Sequence, residues 1–429
     1  MARSEQNTNE IGRIGLWTTV VALAVSVCLI VAATDMQAQT FTVLHTLNGG
    51  SDGSGAISGL VADRAGNLYG VAYAGGIPGC PFGEGCGTVF KLTHGGSGWI
   101  FSVIYSFTGA ADGWWPQNIA FAADGSIFGT TIFGGDTNEC TSYGGCGTVF
   151  RLQPPPNFCA AFSCPWRKTT LYEFTDGDDG RYPNGPAFDA AGNVYGTTNE
   201  AAENGAGNIW ELSPSGSGWT FNVLYAFEYY SGGNPIYGVS VDGAGNLWGS
   251  GGTGNIGCGD PYQPVYCGQI WELARTGSSW NFQIAYNLTA STGGAPGGAF
   301  TFDQAGKMYG TVTVSGPQGN GGVFQYIPSS SQFNLLYAAP GNVNADYGPQ
   351  GPVVLDQAGN IYAADPYNGQ YFYGYAFEVS PSGGYWTYTD LHNFTGGSDG
   401  AGPYGALVVD AQGNVYGANA AGVIFKITR

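Results

Sequence analysis

From residue 41 onward the chain runs in short stretches that alternate apolar with polar residues, separated by glycine-rich turns. Between Phe101 and Phe107, the residues Phe101, Val103, Tyr105 and Phe107 alternate with Ser102, Ile104 and Ser106. A period of two sends successive side chains to opposite faces, so this run predicts an outer strand with one face packed and one half-solvated. Three further strands precede it, at Ala56 to Ala62, Asn67 to Ala72 and Gly87 to Leu92, with a turn at Asp63 to Gly66. The third strand, GTVFKL, returns as GTVFRL, GNIWEL, GQIWEL, GGVFQY, YAFEVS and GVIFKI. The fourth returns behind a leading tryptophan at Trp166, Trp219, Trp280 and Trp386, with Ser331 in that place in the fifth unit.

The turn between strands one and two carries the clearest repeat. DRAGNLYG at Asp63 recurs at Asp189, Asp242, Asp303, Asp356 and Asp410, and a degraded copy, AADGSIFG, starts at Ala122. The shared glycines are Gly66, Gly125, Gly192, Gly245, Gly306, Gly359 and Gly413. A repeat of this period built from four antiparallel strands specifies blades arranged radially, a β-propeller. The last unit has only three strands, ending at Ile427-Thr428-Arg429, while Phe41 to Leu47 matches an orphan fourth strand. The fold expected is therefore all-β, a single seven-bladed β-propeller over residues 39–429, closed by strand 41–47 completing the last blade. The repeated Asp reads as a turn residue whose side chain accepts backbone N–H groups, because one active site has no use for six copies.

Composition changes the picture in two respects. The 75 glycines, 14% aromatic residues and only 10% charged residues suit many short strands joined by tight turns. A formal charge of −18 with only 12 scattered Lys and Arg excludes a nucleic-acid partner, which needs clustered cations on phosphates. Residues 1–38 read as a signal peptide: a polar start with Arg3 and Arg13, an uncharged stretch from Leu16 to Ala33, and a cut after Ala38. The alternative is an uncleaved anchor over 16–33, the only route by which a membrane would become a partner. The localisation expected is secreted, periplasmic or extracellular. Apart from Cys28, the cysteines form local couples, Cys80/Cys86, Cys140/Cys146, Cys159/Cys164 and Cys258/Cys267. None has metal-site spacing or a neighbouring histidine, so four disulfide staples are expected.

The units GLVADRAGNLYG, GTVFKL and WIFSVIYSF together resemble the GloVer-repeat proteins, an exported tandem-repeat family, over roughly residues 41–429. The resemblance implies a propeller and secretion, and brings no catalytic residues with it.

Strand direction places the loops between strands two and three, and the links from strand four to the next blade, on one face. That face holds three of the cysteine couples and Asp-Gly links at Asp52, Asp112, Asp179 and Asp399, extended by Asp346. Two readings apply: Asp-Gly turn chemistry, or an acidic crescent for a cation or a hydroxyl-rich ligand. Aromatic residues gather on the same face at Trp114, Trp115, Tyr182, Tyr229, Tyr230, Tyr237, Tyr347, Tyr404 and Tyr371 to Tyr373. Flat rings beside carboxylates and amides suit stacking on sugars, although such rings also pack between blades. His45 and His392 replace a fourth-strand Tyr and read as structural, and no catalytic motif is present.

The function expected is a monomeric binding or scaffold module for a carbohydrate-like ligand, such as a polysaccharide or other cell-surface component. The alternatives are a polysaccharide-cleaving hydrolase or lyase using Asp112 and Asp179, and a structural envelope protein. No catalytic residue is assigned and no cofactor is expected. Ca2+ is left open, but the Asp turn alone supplies too few oxygen ligands.

Overall fold

The computed structural model describes residues 39–96, 98–136, 140–141, 144–156, 165–200, 205–228, 235, 237–257, 266–314, 316–340 and 347–429. The expected targeting segment, Cys159, Cys164, Cys258, Tyr229, Tyr230 and Asp346 lie outside the described residues. Among the described residues no helix is long and apolar enough to cross a membrane.

Seven antiparallel sheets make up the fold. Strand β1 (Thr40–Thr46) comes first, followed by blade one, built from β2 (Leu60–Ala62), β3 (Leu68–Ala72), β4 (Thr88–Gly95) and β5 (Gly98–Ser106). Blades two to six follow in order over residues 114–173, 181–228, 240–287, 294–340 and 350–393. Blade seven takes its three inner strands from residues 408–428, and β1 hydrogen-bonds to the last of them as its outer strand. The propeller is therefore seven-bladed and closed by its N-terminal strand, as the repeat predicts.

The repeated Asp is the acceptor of the first turn. Oδ1 of Asp63 accepts the N–H groups of Ala65 and Asn67, and Oδ2 accepts the Asn67 amide at 2.7 Å and the Tyr69 hydroxyl at 3.0 Å. Asp189, Asp356 and Asp410 repeat this set. At Asp242 the indole N–H of Trp248 takes the place of the tyrosine hydroxyl. The degraded copy loses both halves of the pair together, with Ala122 for the Asp and Phe128 for the Tyr. There Asp124 accepts the Ser126 N–H instead and pairs with Arg151. In six of the seven copies the motif ends in glycine, with the third-strand aromatic lying against it, and in blade six Ala363 takes that place opposite Phe377. A Cβ on Gly249 would meet the Trp271 ring at 2.2 Å, and one on Gly70 would meet Phe90 at 2.5 Å.

The core is divided among the interfaces between blades. In one buried cluster Tyr69, Val71 and Val89 of blade one pack on Trp114, Ile127 and Phe150 of blade two, and six similar clusters cover the remaining interfaces. Ring stacks between outer strands reinforce them: Tyr172 on Phe221 at 3.9 Å, Tyr225 on Phe282 at 4.0 Å, Tyr286 on Phe333 at 4.8 Å and Tyr337 on Tyr388 at 4.5 Å. The two histidines hold the closing strand, with Phe41 on His392 at 4.0 Å and His45 on Phe101 at 3.8 Å.

The innermost strands differ from the expectation. The expected first strand, Ala56 to Ala62, is laddered only over Leu60–Ala62. Its start is diverted by left-handed glycines at Gly55 and Gly59, and Gly59 bridges directly to Ala406 of blade seven. A Cβ on Gly59 would stand 2.2 Å from the Ala406 nitrogen, so only glycine permits this approach at the axis. Blades two, three and six carry register shifts in the same strand, and blade five has it split into Gly294–Pro296 and Thr301–Phe302.

Of the four expected disulfide staples, two are complete within the described residues, Cys80–Cys86 and Cys140–Cys146. The expected Cys258–Cys267 staple is described on one side only. Cys267 is buried near the start of the third strand of blade four (Tyr266–Thr276) and is disulfide-bonded, while Cys258 lies outside the described residues. The Cys159–Cys164 staple falls wholly outside them.

The motif carboxylates link stability to acid. Burial pushes Asp63, Asp189, Asp356 and Asp410 up, but their Asn, backbone and Tyr donors outweigh it and hold all four below the ordinary value. A depressed carboxyl contributes stability that is complete above the unfolded value of about 4 and is lost as pH falls through the folded one. Urea midpoints are therefore expected to hold between about pH 5 and 7 and to fall steeply below about pH 4. Asp356→Asn and Asp410→Asn together are expected to make that fall shallower. An equally steep fall in the double variant would contradict the assignment.

Candidate functional site

Each of the four described Asp-Gly links turns its carboxylate back on its own blade. Asp179 accepts the Tyr172 hydroxyl at 3.0 Å, the Thr175 N–H at 2.9 Å and the Thr175 hydroxyl at 2.8 Å. Asp399 takes the same position against His392 and Thr395, and Asp52 against His45 and the Asn48 N–H. This explains the histidines: each brings a ring nitrogen where other blades bring a tyrosine hydroxyl. Asp112 accepts from Tyr105 and Thr108 and also pairs with Lys168 at 2.8 Å. Lys168 stands in the outer-strand place that Phe101 and Phe221 fill in their blades. Its side chain is only 5% exposed, and its charge lies over the Phe107 and Phe150 rings. Burial pushes the Asp112 carboxyl up, but Lys168 and the other donors outweigh it and hold it below the ordinary value.

The aromatic residues divide. Trp114 is 2% exposed and stacks on Phe133 at 4.5 Å within the core. Trp115 and Tyr182 occupy equivalent left-handed positions, with φ of 59° and 58°. The Cys80–Cys86 and Cys140–Cys146 disulfides close loops that lie against them. The Trp115 N–H donates to the Cys86 carbonyl and the Tyr182 N–H to the Cys146 carbonyl. Each of these staples therefore holds the start of the following blade. The Tyr182 ring meets the Phe133 edge and lies under Arg181. Tyr347 is 49% exposed and packs 6.0 Å from Tyr367, which in turn meets Tyr404 edge-on at 5.5 Å.

Every blade contributes to one cavity of about 660 Å3 at the axis, on the face of the links and the stapled loops. Of the sequence-predicted residues, Trp115, Tyr237 and Tyr404 line it. Tyr73 lines it too, stacked on Trp115 at 5.2 Å with 23° between the planes. Burial, with Tyr367 and Tyr347 close by, pushes the Tyr237 hydroxyl up to about 12. Four amides, Gln117, Asn118, Asn184 and Gln350, line it together with Ser58 and the tyrosines. No Asp, Glu, Lys, Arg or His lines the cavity among the described residues. Asp52, Asp112, Trp114, Asp179, Tyr182, Tyr347 and Asp399 are not part of its lining.

Tyr73 and the amides are the residues that reading by motif passes over. A signal for most of them exists, since Gln117, Asn184, Gln350 and Tyr404 each follow the proline of a blade link, at Pro116, Pro183, Pro349 and Pro403. The bulge in blade two frees Gln117 and Asn118 from the ladder, whereas Asn184 and Gln350 stay paired, to Thr197 and Ala364, at the edge of the register shifts in blades three and six. No group of three or more His, Cys, Asp or Glu positioned to hold a metal occurs among the described residues.

The model of the Gloeobacter/Verrucomicrobia repeat family matches residues 84–259 and 259–429. No curated protein matches the chain. The fold is similar to the extracellular domain of BT4673 from B. thetaiotaomicron, described as a candidate one-component system (TM-score 0.55, 9% identity, 91% of this chain and 40% of that one). It is also similar to the GH74 xyloglucanase from Xanthomonas campestris (0.53, 14%, 90% and 53%) and to the WD40 propeller domain of Doa1 (0.52, 9%, 91% and 97%). This chain thus spans about half or less of the first two proteins. At these identities the likeness shows the fold alone.

The Asp112–Lys168 pair gives a direct test of the structural role of the links. Asp112→Ala leaves a buried ammonium without its partner, and is expected to cost about 3 kcal/mol in urea denaturation. Adding Lys168→Met is expected to recover most of that loss. A single variant as stable as the parent would show that the pair is not coupled to folding.

Proposed function

The chain belongs to the Gloeobacter/Verrucomicrobia repeat family, and from its central cavity we propose that it is an exported binding module for a carbohydrate-like ligand. The observation that carries this reading is the Tyr73–Trp115 stack beside four amide side chains in one cavity. The apolar C–H face of a sugar packs on such a ring pair, while its hydroxyls take up amide donors and acceptors. The cavity volume suits a ligand of a few sugar units. Export is supported by the disulfides at Cys80–Cys86, Cys140–Cys146 and Cys267, a linkage that persists in oxidising compartments.

A hydrolase is the weaker reading. Glycoside cleavage uses two carboxylates flanking the bond, and none lines the cavity among the described residues. Asp112 and Asp179, the candidates for that role, accept three or more hydrogen bonds each within their own links.

Tryptophan fluorescence of the purified protein, titrated with soluble polysaccharide fragments, tests the proposal. A saturable change is expected, weakened about tenfold or more in Tyr73→Ala and in Trp115→Gly. Glycine is chosen at 115 because it keeps the left-handed backbone. A flat response of the parent protein across the panel would sink the proposal and favour a purely structural envelope role.

A further inference from the structure

We infer that the ligand is an uncharged saccharide, and that sugars bearing a carboxylate or an amine are rejected by the same cavity. The inference rests on the proposed function, because it names the class of saccharide that site takes. It starts from where the repeat stops repeating. The residue after the link proline is Gln117 in blade two, Asn184 in blade three, Gln350 in blade six and Tyr404 in blade seven, and all four line the cavity. Glycine or alanine at such positions would satisfy the fold equally well, as Gly297 does after Pro296 in blade five. The amides are therefore surplus to the architecture.

They are also unspent. Gln117, Asn118 and Gln350 make no side-chain hydrogen bond within the protein among the described residues, whereas the carboxylates of the blade links are paired. Asn184 is 7% exposed, and its side chain donates only a long bond, 3.4 Å, to the Tyr182 carbonyl. An amide offers two donors and an acceptor, and a sugar hydroxyl is at once donor and acceptor. The two match without a net charge on either side.

A charged group would find no such match. A carboxylate taken out of water requires a cation or several convergent donors, and an ammonium requires a carboxylate. The cavity lining contains neither kind of charge among the described residues. Arg181, close in sequence to Asn184, is already committed to both Asp176 and Glu200, and Lys168 to Asp112. A net charge of −18 further lowers the local concentration of anionic sugars.

The test is isothermal titration calorimetry of the purified protein with neutral hexasaccharides, each set beside its uronate and amino-sugar counterpart of the same linkage. β-1,4-linked mannohexaose against hexamannuronate, and cellohexaose against the glucosamine hexamer, are two such pairs. Binding of one or more neutral members is expected, with charged counterparts at least about tenfold weaker. That affinity is expected to stay constant between about 20 mM and about 500 mM salt, since no ion pair is screened. Gln350→Leu is expected to weaken neutral binding about tenfold with its melting temperature unchanged. A charged counterpart bound as tightly as its neutral partner would overturn the inference and leave the proposed function standing. So would Gln350→Leu with undiminished affinity and Gln117→Leu behaving likewise. Binding of no saccharide at all would overturn both.

Discussion

A four-stranded sheet cannot cover both of its own faces, so each blade of this protein is stable only between two neighbours. Large aromatic side chains from strands two and three pack across each interface rather than within a blade. The arrangement has no natural end, and it must close. Strand β1 meets that requirement by joining blade seven as its outer strand. Phe41 stacks back on blade six and His45 forward on blade one, so the closing strand is held on both sides. The Asp-Gly links belong to the same mechanism, since each fixes a fourth-strand ring to the segment that begins the next blade.

Closure also shapes the axis. The inner strands crowd together there, and they meet through glycine, as Gly59 does with Ala406 and Gly298 with Gly351. Register shifts interrupt the same strands at or just beyond the residue that follows the link proline. Among the described residues the Gln117 and Gln350 side chains there make no hydrogen bond within the protein, and Asn184 makes one long one. The side chains that face the axis differ from one unit to the next. A binding site placed there can vary without disturbing the interfaces that hold the ring together.

Most of the architecture was legible because the repeat states its own physics. DxxGN followed by an aromatic and, in most copies, a glycine encodes an Asx-type turn, a hydroxyl donor for its carboxylate, and a close contact with the third-strand aromatic. The degraded copy confirms that logic, because Ala122 and Phe128 drop the acceptor and the donor together. The candidate site was less legible. Trp115, Tyr237 and Tyr404 reach the cavity, whereas Trp114, adjacent in sequence to Trp115, is core. Alternation alone does not tell these neighbours apart, because the left-handed backbone at Trp115 turns its ring toward Tyr73. The Asp-Gly carboxylates face inward to their own blades for a reason that spacing does not reveal, namely the hydroxyl or ring nitrogen waiting seven residues earlier. Gln117 and Gln350 carry no motif beyond the link proline before them, and their place in the cavity shows only in the structure.

The central claim is that the axis, and not the outer rim, receives the ligand. Hydrogen exchange of the purified protein with and without a bound neutral hexasaccharide tests it most directly, because exchange reports on backbone throughout the ring. Slower exchange is expected at residues 115, 117–119, 350–351 and 404–406, which line the cavity, with the outer strands unchanged. Protection confined to outer strands such as 385–393, with the axial segments unaffected, would contradict the account.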